Sequence, residues 1–109
     1  MSFRKLFYFL VLFAFSGLLT SCSSNNENRE SRILIFSKTT GFSHASIQDG
    51  IKALQASGAR NNVVVDTTEN AENFNEENLK RYDAVVFLNT TGDILDHYQK
   101  AEFERYIQA

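Results

Sequence analysis

The sequence predicts an α/β layer fold built on a parallel sheet. Three short apolar runs carry that prediction: RILIF at 32–36, VVV at 63–65 and DAVVFL at 83–88. The runs are continuous rather than alternating, as expected of strands covered on both faces. Each is followed by a segment with helical spacing. A strand-helix order repeated three times leads to parallel neighbours joined by right-handed crossovers.

The elements follow in order. After the first run comes a polar loop, and then Ile47, Ile51 and Leu54 recur at helical spacing, with Gly58 placed to end that helix. The second run leads into Asp66-Thr67-Thr68-Glu69. In FNEENL at 74–79, Asn75 can cap a helix, Glu76 and Glu77 favour its positive end, and Phe74 can staple onto Leu79. The third run ends in Asn89-Thr90-Thr91-Gly92-Asp93. Asp96 and Gln99 form a capping box for a last helix whose buried side is expected to include Phe103 and Ile107. That helical pattern reaches Ala109 without a terminating Gly or Asn, so the expectation is a domain truncated after its third strand-helix unit. Such a piece would leave one sheet edge without a partner strand.

The first 21 residues read as a leader. Arg4 and Lys5 precede an unbroken apolar block at 6–15, too short and wrongly flanked for a comfortable membrane span. It ends in Leu19-Thr20-Ser21-Cys22, which resembles a bacterial lipobox, with the sequence's single cysteine at the position that becomes lipidated. The expectation is a lipoprotein of the bacterial cell envelope, held to the membrane through Cys22, with its domain outside the cytoplasm. One cysteine excludes an intramolecular disulfide and any multi-cysteine metal site. Residues 22–31 form a tether, whose stretch SSNNENRES at 23–31 has no apolar residue with which to order itself. The domain then occupies residues 32–109.

Of the 11 Lys and Arg, Arg4 and Lys5 leave with the leader, so 9 face 13 acidic side chains, a balance of −4. No basic cluster remains to track a phosphate backbone, which argues against a nucleic-acid partner.

In open α/β sheets, ligands bind beyond the carboxyl ends of the strands. All three exits are polar here: residues 38–44, 66–69 and 89–93. Thr39-Thr40-Gly41 and Thr90-Thr91-Gly92 echo one another after the first and third runs, which places similar turns at the same end of the sheet. Gly41-Phe42-Ser43-His44-Ala45 resembles a serine nucleophile elbow. However, Ser43 follows the first strand rather than a later one, and only His97 lies downstream as a partner, so a serine hydrolase is the weaker reading. Neither a P-loop nor a dinucleotide fingerprint is present. His44 and His97, with Asp66, Glu69, Asp93 and Asp96, could bind a divalent ion if the exits converge, although their spacing matches no metal motif. Ser43 can alternatively cap the helix with His44 in its first turn, and Phe42 is expected to pack back onto the sheet.

Together, ILIFSKTTGFSHASI, the strand exit DAVVFLNTTGD and the helix QKAEFERYIQA resemble the ThuA-like family, named for trehalose utilisation, across residues 32–109. The resemblance implies a flavodoxin-like parallel sheet with flanking helices, of the class I glutamine amidotransferase type, and a ligand pocket at the strand exits. It carries across His44, Thr90, Thr91, Gly92 and Asp93 as pocket residues. It does not imply amidotransferase activity, because members of the family generally lack the cysteine nucleophile.

The expected function is action on, or binding of, a small carbohydrate, either a sugar or an oxidised sugar derivative. His44 would be the catalytic candidate, with Thr40, Gly41, Ser43, Thr90, Thr91, Gly92 and Asp93 holding ligand. The rival is a non-catalytic sugar-binding or scaffold lipoprotein.

Overall fold

A computed structural model of the protein describes residues 29–109. The leader, Cys22 and the tether up to residue 28 lie outside the described residues. Strand β1 (Ser31–Phe36) is followed by helix α1 (Ile47–Arg60), strand β2 (Val63–Thr68), a 3-10 turn (Ala71–Asn73) and the short helix α2 (Glu76–Leu79). Strand β3 (Ala84–Phe87) and helix α3 (His97–Gln108) complete the described part. The sheet has the order β2-β1-β3, with both pairings parallel. This is the α/β architecture expected from the three apolar runs, flavodoxin-like in its sheet order and flanking helices. Among the described residues, no helix is long and apolar enough to cross a membrane.

Alternation along β1 divides the core into two layers. Leu34 and Phe36 face a cluster formed with Ala71, Phe74, Leu79, Tyr82 and Leu95. Val85, Phe103 and Tyr106 pack against that cluster. Its centre is aromatic: Phe36 lies 4.6 Å from Phe74 and 5.7 Å from Phe87, and Phe103 lies 5.2 Å from Phe87. These tilted and edge-on arrangements suit the ring quadrupoles. Ile35 points the other way, towards α1, and is fully buried.

The two asparagine and aspartate caps are formed as the sequence suggests. Asn75 accepts from the Asn78 amide, and Asp96 with Gln99 makes both bonds of a capping box. Phe74 and Leu79, the expected staple, are both buried in the same cluster.

Two expectations are corrected. Gly58 does not end α1, which runs on to Arg60 and is closed by Asn61 and by Asn62 in a left-handed conformation (φ 55°). Gly58 instead lets the helix approach β2: a Cβ there would stand 2.5 Å from Val65 Cγ2 and 2.7 Å from the Val63 carbonyl oxygen. Ile107, expected on the buried side of α3, is 64% exposed, whereas Phe103 does pack inward. Ile107 lies on the side of α3 away from the cluster, whereas Tyr106 beside it still packs there and donates to the Tyr82 carbonyl (3.0 Å).

Polar bonds pin the entry end of the sheet. Asp83 accepts from the Arg32 backbone N–H (2.9 Å) and from Arg29 (2.7 Å), while its own N–H donates to the Arg32 carbonyl (2.7 Å). Asp66 accepts from Tyr82 (2.9 Å) and pairs with Arg32 (3.1 Å). Burial, then the hydrogen bond to Asp66, raises the Tyr82 phenol above its ordinary pKa. Beside β3, which is paired on one side only among the described residues, runs an open groove of about 890 Å³ between α2 and α3.

Gly58→Ala should destabilise the protein by roughly 1–3 kcal/mol through overpacking against β2, read by chemical denaturation. An unchanged midpoint would mean that the helix-strand approach is looser than these distances.

Candidate functional site

The exits of β1 and β3 are joined to each other. Beyond the regular sheet, Thr39 and Thr91 form a parallel bridge, and the Thr40 N–H donates to the Thr91 carbonyl at 2.9 Å. The Thr40 hydroxyl donates to the same carbonyl (3.2 Å), and the Thr91 hydroxyl donates to the Phe42 carbonyl (2.7 Å). The repeated Thr-Thr-Gly turns are therefore one unit: two loops held side by side at the carboxyl end of the sheet.

The two glycines differ in what they do there. Gly41 has φ 109° with open space around its missing Cβ, so only the backbone conformation favours glycine. Gly92 has φ 80° and also lies so close to Thr40 that a Cβ would come within 1.9 Å of its hydroxyl and 2.7 Å of its carbonyl oxygen. Gly92 is what permits the two turns to touch.

Ser43 does not cap the helix. Helix α1 begins at Ile47, its N-cap is Ser46, and the Ser46 hydroxyl accepts from Asn89 (3.1 Å) rather than bonding a helix amide. Asn89 reaches it from a left-handed backbone (φ 48°), which ties the β3 exit to the start of α1. His44 consequently precedes the helix instead of lying in its first turn, and it is exposed. Its ring stands perpendicular to that of Phe42 at 4.9 Å. Phe42 is 71% exposed, which corrects the expectation that it packs onto the sheet.

The remaining candidates divide between two places. Thr40, Gly41, Ser43, His44, Thr91 and Gly92 belong to the joined turns or the loop leading from them, and Thr90 is half-buried alongside. Asp93 turns away and pairs with Lys100 at 2.8 Å. The hydrogen bond and charge of Lys100 hold the Asp93 carboxyl below its ordinary pKa. Asp93 also lines a shallow cleft of about 410 Å³ with Lys38, Asn70, Glu72, Asp96 and Gln99. His44 and Ser43 are not part of that lining.

Nor do the imagined metal donors converge. Asp66 lies within β2 and is engaged by Tyr82 and Arg32, and His97 is exposed at the start of α3. Among the described residues, no group of three or more His, Cys, Asp or Glu is placed to hold a metal ion.

The sequence reading passed over Asn70 and Glu72 as cleft residues. Their signal was local: the Asn70 side chain accepts from the Glu72 amide, a turn-capping pattern that carries the chain from β2 back across the sheet end.

A family model described as ThuA, trehalose utilisation, matches residues 32–109. The chain belongs to the ThuA family. The match begins within β1 and includes all three strands and both joined turns. No curated protein and no solved structure matches the chain.

The two glycines give a paired test of the joined turns. Gly41→Ala should cost roughly 1–2 kcal/mol of stability from backbone strain alone. Gly92→Ala should cost roughly 2–5 kcal/mol, because overpacking against Thr40 is added to strain. Urea unfolding of the two variants measures the difference, and equal losses would contradict the close approach.

Proposed function

We propose that this ThuA-family chain is a lipid-anchored protein of the bacterial envelope that binds a sugar or oxidised sugar derivative at the strand carboxyl ends, with His44 as its proton-transfer group. The observation that carries the reading is the joined pair of β1 and β3 exits with an exposed His44 on the loop beside them. A histidine can accept and return a proton near neutral pH, as reactions at sugar hydroxyls and carbonyls require. Ser43 and Thr90 supply hydroxyl groups nearby, and Asp93 supplies a carboxylate at the neighbouring cleft. Family membership supports a link to trehalose utilisation. The anchor rests on Leu19-Thr20-Ser21-Cys22 and the apolar block before it.

A non-catalytic sugar-binding or scaffold role is the second reading, and one observation favours it. The Thr40 and Thr91 hydroxyl protons are already given to backbone carbonyls, and Asp93 is already paired with Lys100. The two threonines hold the loops together, and the Asp93–Lys100 pair ties the β3 exit to α3, before any ligand arrives.

His44→Ala decides between the two. With trehalose and D-gluconate as probes, the catalytic reading expects turnover, followed by nuclear magnetic resonance of the sugar, to fall by about 10²-fold or more, with affinity retained. Unchanged turnover removes His44 from catalysis. For the anchor, Cys22→Ala should shift the protein from the membrane to the soluble fraction, and a variant that stays in the membrane contradicts lipidation at Cys22.

A further inference from the structure

Phe42 is the most conspicuous residue of the β1 exit with no structural employment. It is 71% exposed, while Phe36, Phe74, Phe87 and Phe103 gather in the core cluster or against it. Lone exposed apolar side chains are common on protein surfaces, so exposure alone means little. The loop that presents this one, however, is fixed on both sides. The Phe42 carbonyl accepts from the Thr91 hydroxyl at 2.7 Å, Thr40 two residues before it is bonded to Thr91, and the His44 carbonyl two residues after it accepts from the Ile47 N–H at 3.2 Å. The His44 ring stands perpendicular to the phenyl with its centroid 4.9 Å away. An aromatic held in place but left uncovered is a preorganised contact surface.

We propose that Phe42 is the sugar-stacking residue of this site, its ring receiving the apolar face of a pyranose while His44 stands at the hydroxyl rim. The proposal deepens the carbohydrate reading above and rests on it. The C–H bonds on one face of a pyranose are polarised by the ring oxygen and the hydroxyl oxygens, and meet the negative face of an aromatic ring favourably. The surroundings fit such a ligand better than a protein partner. Gly41, Ser43, Ala45 and Ser46, its neighbours along the loop, are all exposed and small or polar, so the loop does not supply the apolar rim that a protein hot spot needs. A ligand with one apolar face and a polar edge needs one ring, a proton-carrying neighbour and hydroxyl groups. Phe42, His44 and Ser43 supply these within three residues.

The chain contains no tryptophan, so Phe42→Trp places a single selectively excitable fluorophore at the site. Trehalose and D-glucuronate, both pyranoses and the second an oxidised sugar derivative, are titrated separately into the Phe42→Trp protein by fluorescence, and into wild type, Phe42→Ala and His44→Ala by calorimetry. Stacking expects a saturable change in Trp emission. It also expects Phe42→Ala to bind about ten-fold more weakly than wild type, with an unchanged circular dichroism spectrum. Equal affinity of Phe42→Ala and wild type overturns stacking and leaves the carbohydrate reading standing. Unfolding of Phe42→Ala would show a packing role and also overturns it. If wild type gives no binding heat and the Trp emission does not move with either sugar, the carbohydrate reading itself fails and takes the stacking role with it.

Discussion

Everything in this structure hangs on β1 being hydrogen-bonded on both sides. Leu34, Ile35 and Phe36 are each at most 2% exposed, so their backbone donors and acceptors have no water to turn to and must find partners in β2 and β3. Parallel pairing on both sides aligns the three strand exits. Phe36 stands opposite Thr68 on one flank and Phe87 on the other, so all three loops leave the sheet at the same level. The alternation of Leu34 and Phe36 against Ile35 then sorts the helices, with α1 on one face and the 3-10 turn, α2 and α3 on the other. Among the described residues, the outer edges of β2 and β3 and the Ile107 side of α3 are the parts this central strand does not reach.

The same pairing continues, weakened, past the end of the regular sheet. A single bridge between Thr39 and Thr91 and two hydroxyl bonds extend it by one step into the loops. That extension demands a residue without Cβ opposite Thr40, which is Gly92. The consequence for function is order in an otherwise exposed loop: Phe42 and His44 lie in solvent, yet the backbone on either side of them is tied down. A site built this way needs little rearrangement to receive a small ligand.

How far the site was legible follows from the same physics. The position of the exits could be read, because apolar runs followed by Thr-Thr-Gly and Asn-Thr-Thr-Gly-Asp mark strand ends directly. The capping roles of Asn75 and Asp96 could also be read, since a cap is satisfied within three residues of chain. The alternative of Ser43 as a cap fails because Ser46 takes that position, where the Ser46 hydroxyl is bonded by Asn89, 43 residues away. Gly58 was misread as a terminator because its reason for being glycine is a β2 side chain and carbonyl, which no helical pattern contains. Phe42 was expected to pack inward on hydrophobicity alone. The loop bonds that hold it outward come from Thr91, on another strand exit.

The sequence by itself determined the order of elements, the burial of β1 on both faces and the end of the sheet at which polar groups collect. Those are properties of periodicity and local backbone chemistry, which act over a few residues. Only the tertiary structure decided that the two Thr-Thr-Gly turns bind each other, that Asp93 belongs with Lys38 and Lys100 rather than with His44, and that Phe42 faces solvent. Each of those outcomes depends on a contact between residues distant in the chain. The parallel sheet brings them together, and close approach at Gly92 selects the arrangement.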